Sequence, residues 1–283
     1  MLWQKSVGTK ESIINLNQFI PLRFVRLVIL LIATYLFFCL CVFFFSDRLI
    51  FLPQPSSYQD TDAIIKLDSG NGIQISVVYL PWETSSYTIL YSHGNAEDLG
   101  YIQPVLQKLF TTGFSVLAYD YRGYGTSEGT PSERNAYRDI DAAYQYLTQQ
   151  LGVPPKQIIA HGRSVGGGVA VDLASRQPLA GLILESCFTS AFQVVMAIPI
   201  VPFDKFRNID KLEKVDCPLL VIHGKADEVV SWSHGQKLFA AASQPKFALW
   251  VERAGHNNVP TIAGERYTDT LQEFARLIER SQT

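Results

Sequence analysis

A serine framed by glycines, Gly162-Arg163-Ser164-Val165-Gly166, sits between the apolar run Gln157 to Ala160 and an expected small-residue helix from Gly167 to Ser175. A chain has few ways to fold at such a point. Extended backbone must turn abruptly into helix, and only small residues fit on either side of so sharp a turn. The residue at the apex is held in a strained conformation, with its hydroxyl lifted clear at the end of a sheet. The pentapeptide alone is a common string. A strand before it and a helix after it make Ser164 a candidate nucleophile.

A serine hydroxyl is a weak nucleophile near neutral pH, so Ser164 needs a general base within hydrogen-bond reach, and the base needs an orienting acid. The chain holds five histidines. His93, His161 and His223 each precede a glycine at the end of an expected strand, positions suited to packing or to satisfying a loop. His234 opens an expected helix and has no evident role. His256 lies in Ala254-Gly255-His256-Asn257-Asn258, between the last expected strand and the last expected helix, where a loop can carry an imidazole over the sheet toward Ser164.

The acid follows by position. The run Leu219–His223 leads into Gly224-Lys225-Ala226-Asp227, which sets Asp227 just past the carboxyl end of a strand. Open α/β sheets gather their binding residues at that edge. The adjacent Glu228 is its rival, and a helix-capping aspartate is the alternative role. Donors for a developing oxyanion are expected from the backbone N–H of Val165, directly after the nucleophile, and from that of Asn95 in Ser92-His93-Gly94-Asn95-Ala96. The glycine-rich stretch Tyr119 to Gly129 lacks the lysine and the G-x-G-x-x-G spacing of a phosphate loop. It is expected to be structural, with Asp120 and Arg122 forming an ion pair.

Around these motifs, short apolar runs alternate with helical patterns. Strands are expected at Ala63–Leu67, Gln74–Leu80, Thr88–Ser92, Ser115–Asp120, Gln157–His161, Gly181–Glu185, Leu219–His223 and Phe247–Val251. Helices are expected at Leu99–Thr112, Ser132–Leu151, Val165–Arg176, Ser233–Ala242 and Ala263–Arg280. Runs such as Leu219-Leu220-Val221-Ile222 are apolar on both faces, as parallel strands covered by helices on both sides require. The alternation predicts one doubly wound α/β domain over residues 61–283. Residues 186–216, between two expected strands, form a short cap. Its apolar Phe192, Met196, Ile200 and Phe203 offer either a wall for an acyl chain or plain packing of the cap. A formal charge of −2 gives no basic field, which excludes nucleic acid as a partner. Cys187 and Cys217 stand too far apart for a redox or metal motif and are expected as buried or free thiols.

Leu27 to Phe45 carries no charge, and its 19 residues rise about 28 Å as a helix, close to the thickness of a hydrocarbon core. No small-residue cleavage site follows it, so a retained single-pass anchor is expected rather than a signal peptide. Lys10, Arg23 and Arg26 stand on its amino side and only Arg48 close on the other. The positive-inside rule then puts the tail, residues 1–26, in the cytoplasm and the large domain on the extracytoplasmic or lumenal side. The proline- and serine-rich stretch within residues 46–60 reads as a linker.

In this order, SHGNAEDLG, YDYRGYGTSEG, GRSVGGG, LILESCFTS, VIHGKADEVV and AGHNN resemble the α/β-hydrolase superfamily. Within it the chain is most similar to the membrane-anchored α/β-hydrolase-domain serine hydrolases, whose catalytic domain is similar to prolyl-oligopeptidase-type enzymes. The resemblance covers about residues 60 to 280 and includes the family order of nucleophile, acid and base. It implies an α/β-hydrolase fold: a mostly parallel eight-stranded sheet with helices on both faces, here preceded by one transmembrane helix. It also implies Ser164 as nucleophile, Asp227 as acid, His256 as base, and Asn95 with Val165 as oxyanion donors, with no metal or organic cofactor. Members include acyl-protein thioesterases that remove palmitate, and other esterases and lipases, so the implied partner is an ester or thioester, a lipid or a lipidated protein. Where many relatives have proline after the Glu-Ser pair, this chain has Cys187, which bears on loop stiffness. Two other readings are a serine peptidase of the prolyl-oligopeptidase-like type and a catalytically silent scaffold. The second is disfavoured because all three triad members are present.

Overall fold

The computed structural model describes residues 21–196 and 198–282. The chain divides into two units, Met1–Phe45 and Ser46–Thr283. Lys10 and most of the expected tail lie outside the described residues. The first unit holds the greater part of helix α1, Leu22–Ile50. It extends past the uncharged run at both ends, because nothing breaks it before Pro53 and Arg48 in its last turn suits the negative pole of the helix dipole. Its length and apolar character suffice to cross a membrane. Most of its side chains are exposed, Phe37 at 68% and Phe44 at 70%, unlike those of a core helix.

The second unit contains the strands β1 (Ile65–Asp68), β2 (Gln74–Leu80), β3 (Thr88–Ser92), β4 (Ser115–Tyr119), β5 (Ile158–Arg163), β6 (Gly181–Glu185), β7 (Leu219–Gly224) and β8 (Lys246–Val251). They form one eight-stranded sheet in the order β1-β2-β4-β3-β5-β6-β7-β8. The first two strands are antiparallel to their neighbours and every other pair is parallel. Its helices are α2 (Gln103–Thr111), α3 (Glu133–Gln145), α4 (Val165–Ala174), α5 (Asn208–Lys211), α6 (Trp232–Ala241), α7 (Val259–Ala263) and α8 (Glu265–Gln282).

Alternate strand residues feed two cores. Leu90, Leu117, Ala160, Leu184 and Val221 pack with Ile140 of α3, Val169 of α4 and Leu238 of α6. Ile89, Val116, Ile159, Ile183 and Ile222 pack with Leu106 of α2 and with Tyr267, Leu271, Phe274 and Ile278 of α8. Burial on both faces explains why β3 to β7 read as near-continuous apolar runs. The expected last helix, Ala263–Arg280, forms as α8; the short α7 before it was not expected, and Gly264, with a φ of 57°, separates the two.

Strand order positions the site. From β3 the chain crosses outward to β4, then returns past β3 to β5 and proceeds the other way to β6. The switch point lies between the adjacent strands β3 and β5, where doubly wound sheets leave a crevice at their carboxyl ends. The loops after these two strands carry Asn95 and Ser164.

Residues 46–60, expected as a linker, are strapped to the domain. Phe51 is 2% exposed among Tyr121, Tyr124 and Phe206, with ring centroids 5.9 to 6.4 Å away. Leu52 N–H donates to Asn95 Oδ1 (2.9 Å) and Tyr58 Oη–H to Asp120 Oδ2 (2.6 Å). The composition of the stretch signals turns, and the aromatic within it supplies the attachment.

Candidate active site

Ser164 has φ 52° and ψ −118°, a conformation that costs a non-glycine residue about 1–3 kcal/mol and persists only where the surroundings enforce it. They do so through the backbone. Ser164 N–H donates to the carbonyl of Glu185 on β6 (2.9 Å), and Gly167 N–H donates to the carbonyl of Ser164 (3.0 Å). The flanking glycines follow from close approach. A Cβ on Gly162 would collide with the backbone of Gly166, and one on Gly166 would collide with the carbonyls of Ser92 and His93 at the end of β3. Helix α4 thus lies against strand backbone at a distance that only hydrogen atoms permit.

Ser164, His256 and Asp227 form a connected relay. His256 Nε2 lies 3.0 Å from Ser164 Oγ, and His256 Nδ1 lies 2.8 Å from Asp227 Oδ2. An ionised carboxylate only accepts, so Nδ1 carries the proton and Nε2 is left to accept from the serine hydroxyl. Asp227 Oδ1 accepts from the N–H groups of Val229 (2.9 Å) and Val230 (2.8 Å). Burial alone would raise its pKa; hydrogen bonds from His223, His256 and the Val230 N–H outweigh burial and hold the carboxyl well below the usual range. Its rival Glu228 is exposed. The acid and base loops touch through main chain: Ala226 N–H donates to the carbonyl of Ala254 (3.0 Å), against which Gly224 leaves no room for a Cβ.

His223 satisfies a loop, as its place at a strand end suggests. Its Nε2 donates to the carbonyl of Val230 (2.9 Å) and sits 3.4 Å from Asp227 Oδ2, so it underpins the acid loop. His93 has a similar role beneath the loop after β3. Its Nδ1 donates to the carbonyl of Gly94 (2.8 Å) and its Nε2 faces Asp120 Oδ1 at 3.3 Å. That carbonyl shares a planar trans peptide with the N–H of Asn95, so fixing one end aims the other. Asn95 itself is anchored by its side chain, with Nδ2 donating to the carbonyl of Ile50 (2.6 Å) and Oδ1 accepting from Tyr124 Oη–H (2.7 Å). The signal for both histidines was their place at strand ends.

The expected Asp120–Arg122 ion pair does not form. Arg122 instead pairs with Asp139 of α3, Nε to Oδ1 at 2.8 Å, and its N–H donates to Asp139 Oδ2 at 2.9 Å. Asp120 turns toward His93, Tyr58 and the N–H of Leu99 (2.9 Å). A helix distant in sequence supplies the partner that spacing along the loop does not reveal.

The described part of residues 186–216 holds α5 and two single-turn 3-10 helices, and it lines a partly open cavity of about 290 Å³ through Phe192, Met196, Val201, Phe203, Ser190 and Arg207 among others. Three of the four expected pocket residues thus line it. Ile200 does not line it and is 52% exposed. None of Ser164, Asp227 and His256 lines this cavity.

Three comparisons bear on the chain. The family model described as serine aminopeptidase, S33, matches residues 84–205. An α/β-hydrolase domain-containing protein 17B of Xenopus laevis is 43% identical over 196 residues, 68% of this chain and 67% of that protein. The human protein of the same description is 43% identical over 195 residues, 67% of this chain and 66% of its own length. The chain therefore spans about two thirds of these relatives. Among solved structures, an esterase of Pyrococcus furiosus superposes with a TM-score of 0.66 at 19% identity, covering 80% of this chain and 98% of that one. An α/β hydrolase of Vibrio vulnificus gives a TM-score of 0.63 at 23% identity, covering 75% and 80% of the two chains.

Proposed function

The chain belongs to the α/β-hydrolase superfamily, and on that premise we propose that it is a serine hydrolase cleaving carboxylic ester or thioester bonds through an acyl-enzyme on Ser164. The observation that carries the reading is the continuous relay from Ser164 Oγ through His256 to Asp227, with spacings of 3.0 and 2.8 Å. In this reading Ser164 Oγ attacks the acyl carbonyl while its proton passes to His256 Nε2. The oxyanion that develops is met by the N–H groups of Val165 and Asn95. His256 then delivers the proton to the departing alcohol or thiol, and water, activated by the same imidazole, releases the acid. Asp227 remains ionised and keeps the imidazole in the required tautomer.

The domain organisation belongs to the same proposal: a tail over residues 1–26, an anchor over 27–45, a connecting segment over 46–60 and a catalytic domain over 61–283 with its cap at 186–216. Phe192, Met196 and Phe203, which line the cavity, are proposed to receive an apolar acyl group, from a lipid or a lipidated protein. The flanking charges favour a cytoplasmic tail with the domain on the other side. A protease that enters from the cytoplasmic side and digests the domain while sparing the tail overturns that orientation.

The full chain in detergent should label with a fluorophosphonate and lose the label in Ser164→Ala. Undiminished labelling of that variant overturns the assignment. Esters and thioesters of graded chain length then define the acyl preference. The description of the matched family model favours a second reading, a peptidase. Turnover of aminoacyl nitroanilides above that of matched acyl esters would establish it.

A further inference from the structure

The residue between Gly162 and Ser164 has a long polar side chain pointed away from solvent. Arg163 is 7% exposed, and its guanidinium lies between the two loops that the proposed chemistry needs. Nη1 donates to Glu97 Oε1, and Nη2 donates to Asn257 Oδ1 (2.6 Å) and to the carbonyl of His256 (3.3 Å). The other oxygen of Glu97, Oε2, accepts from the N–H of Gly94 (2.8 Å). One planar fork therefore fastens the Gly94–Glu97 turn on one side and the His256–Asn257 turn on the other. A Cβ on Gly94 would meet both Glu97 Oε2 (2.8 Å) and Arg163 Nη1 (2.9 Å), so the turn is seated directly on the ion pair.

We propose that Arg163 is a positioning residue that sets the Asn95 N–H donor and the His256 base in register about Ser164. It touches no reacting atom in this account and acts through Glu97 and Asn257. The proposal rests on the serine-hydrolase reading above. The physical case is that both loops extend beyond the sheet, and neither is fixed by strand hydrogen bonds at the residue whose position matters. Errors of about 1 Å in such positions cost on the order of 100-fold in rate. An arginine suits the task because its donors are held in a rigid fork, which a lysine's single ammonium does not reproduce.

The test uses the full chain in detergent, with p-nitrophenyl butyrate as substrate and fluorophosphonate titration to count competent sites. Arg163→Gln and Arg163→Lys are expected to lower kcat per titrated site by roughly 10- to 100-fold with KM little changed, lysine less than glutamine. Because Arg163 is buried, Asn257→Ala, at an exposed position, provides a variant that releases only the base loop. It should lose a smaller share of kcat at an unchanged melting temperature. Combining Glu97→Gln with Arg163→Gln should cost little more than Arg163→Gln alone, since both break one linkage. A purely structural role would lower the number of titratable sites and leave kcat per site intact, and that result overturns the proposal. So do wild-type values of kcat per site in both Arg163 variants, or additive losses in the double variant. A wild-type chain that neither labels nor turns over ester overturns the serine-hydrolase reading and this inference with it.

Discussion

Replacing Gly166 by alanine tests the elbow at its tightest contact. A Cβ there would overlap the carbonyl oxygen of Ser92 and lie 2.6 Å from that of His93, both backbone atoms of a buried strand end. Ordinary contact begins at 3.4 Å, so the contact at 2.6 Å alone requires the backbone to give by about 0.8 Å, and the closer overlap with Ser92 requires more. Neither side can yield cheaply. Strand β3 is paired on both edges, with β4 and β5, and α4 begins at the residue before Gly166. Forced overpacking in such a core costs about 1–3 kcal/mol. The same displacement acts on Ser164 and on the N–H of Val165, where about 1 Å is worth on the order of 100-fold in rate. Gly166→Ala should therefore lower the second-order rate of fluorophosphonate labelling by roughly 100-fold in protein that still melts cooperatively. Gly255→Ala is the matched control. It also lies beside a triad residue, but its Cβ would meet nothing nearer than 3.8 Å. Labelling of Gly166→Ala at the wild-type rate would refute the argument, because it would mean that helix and strand do not approach as closely as described.

Other consequences can be checked on the same protein. The folded chain keeps Asp227 ionised at pH values where the unfolded chain has taken up a proton, so this group adds stability that is fully present above about pH 4 and is lost on further acidification. The stability gap between wild type and Asp227→Asn, followed by melting from pH 7 to pH 3, should narrow at the acid end; a gap that widens there contradicts the depressed pKa. In the proposed mechanism, the same substitution should also lower kcat by roughly 1,000- to 10,000-fold by favouring the wrong imidazole tautomer. Burial pushes the Cys187 thiol up to about 12, so site-resolved mass spectrometry should find it unalkylated by iodoacetamide at pH 8 until the protein is denatured. Phe51→Ala removes a buried ring from the strap, at a cost of about 3–5 kcal/mol. A fall in Tm on the order of 10 °C is expected for a domain of this size, whereas an unchanged Tm would return residues 46–60 to the status of a loose linker.

The sheet was legible because parallel strands buried on both faces leave a plain mark, as in Leu219–Gly224, and because a glycine or polar turn follows each of them. Boundaries were less so. The short α7 before Gly264 carries no helical pattern of its own, and α1 runs past its uncharged core into Ser46-Asp47-Arg48, where composition no longer signals a helix. The strap was misread for a related reason. Proline and serine announce turns, but Phe51 finds its pocket among Tyr121, Tyr124 and Phe206, and that pocket exists only once the domain has folded.

The same division runs through the site. Ser164, its glycines and the order of acid and base are constrained locally: a sharp turn admits few residues, and strand ends are where loops can converge. The partners that hold the loops are not. Arg163 meets Glu97 and Asn257 across 66 and 94 residues of chain, and Arg122 leaves its near neighbour Asp120 for Asp139 in another element. Local sterics fix the glycines of the elbow and leave the position between Gly162 and Ser164 open to a side chain of any length. A residue that faces the crevice from that position lies between the loops after β3 and β8. An arginine there is therefore read as one more loop charge until the fold brings Glu97 and Asn257 to it, and the Arg163 variants separate these two views by whether rate per competent site falls.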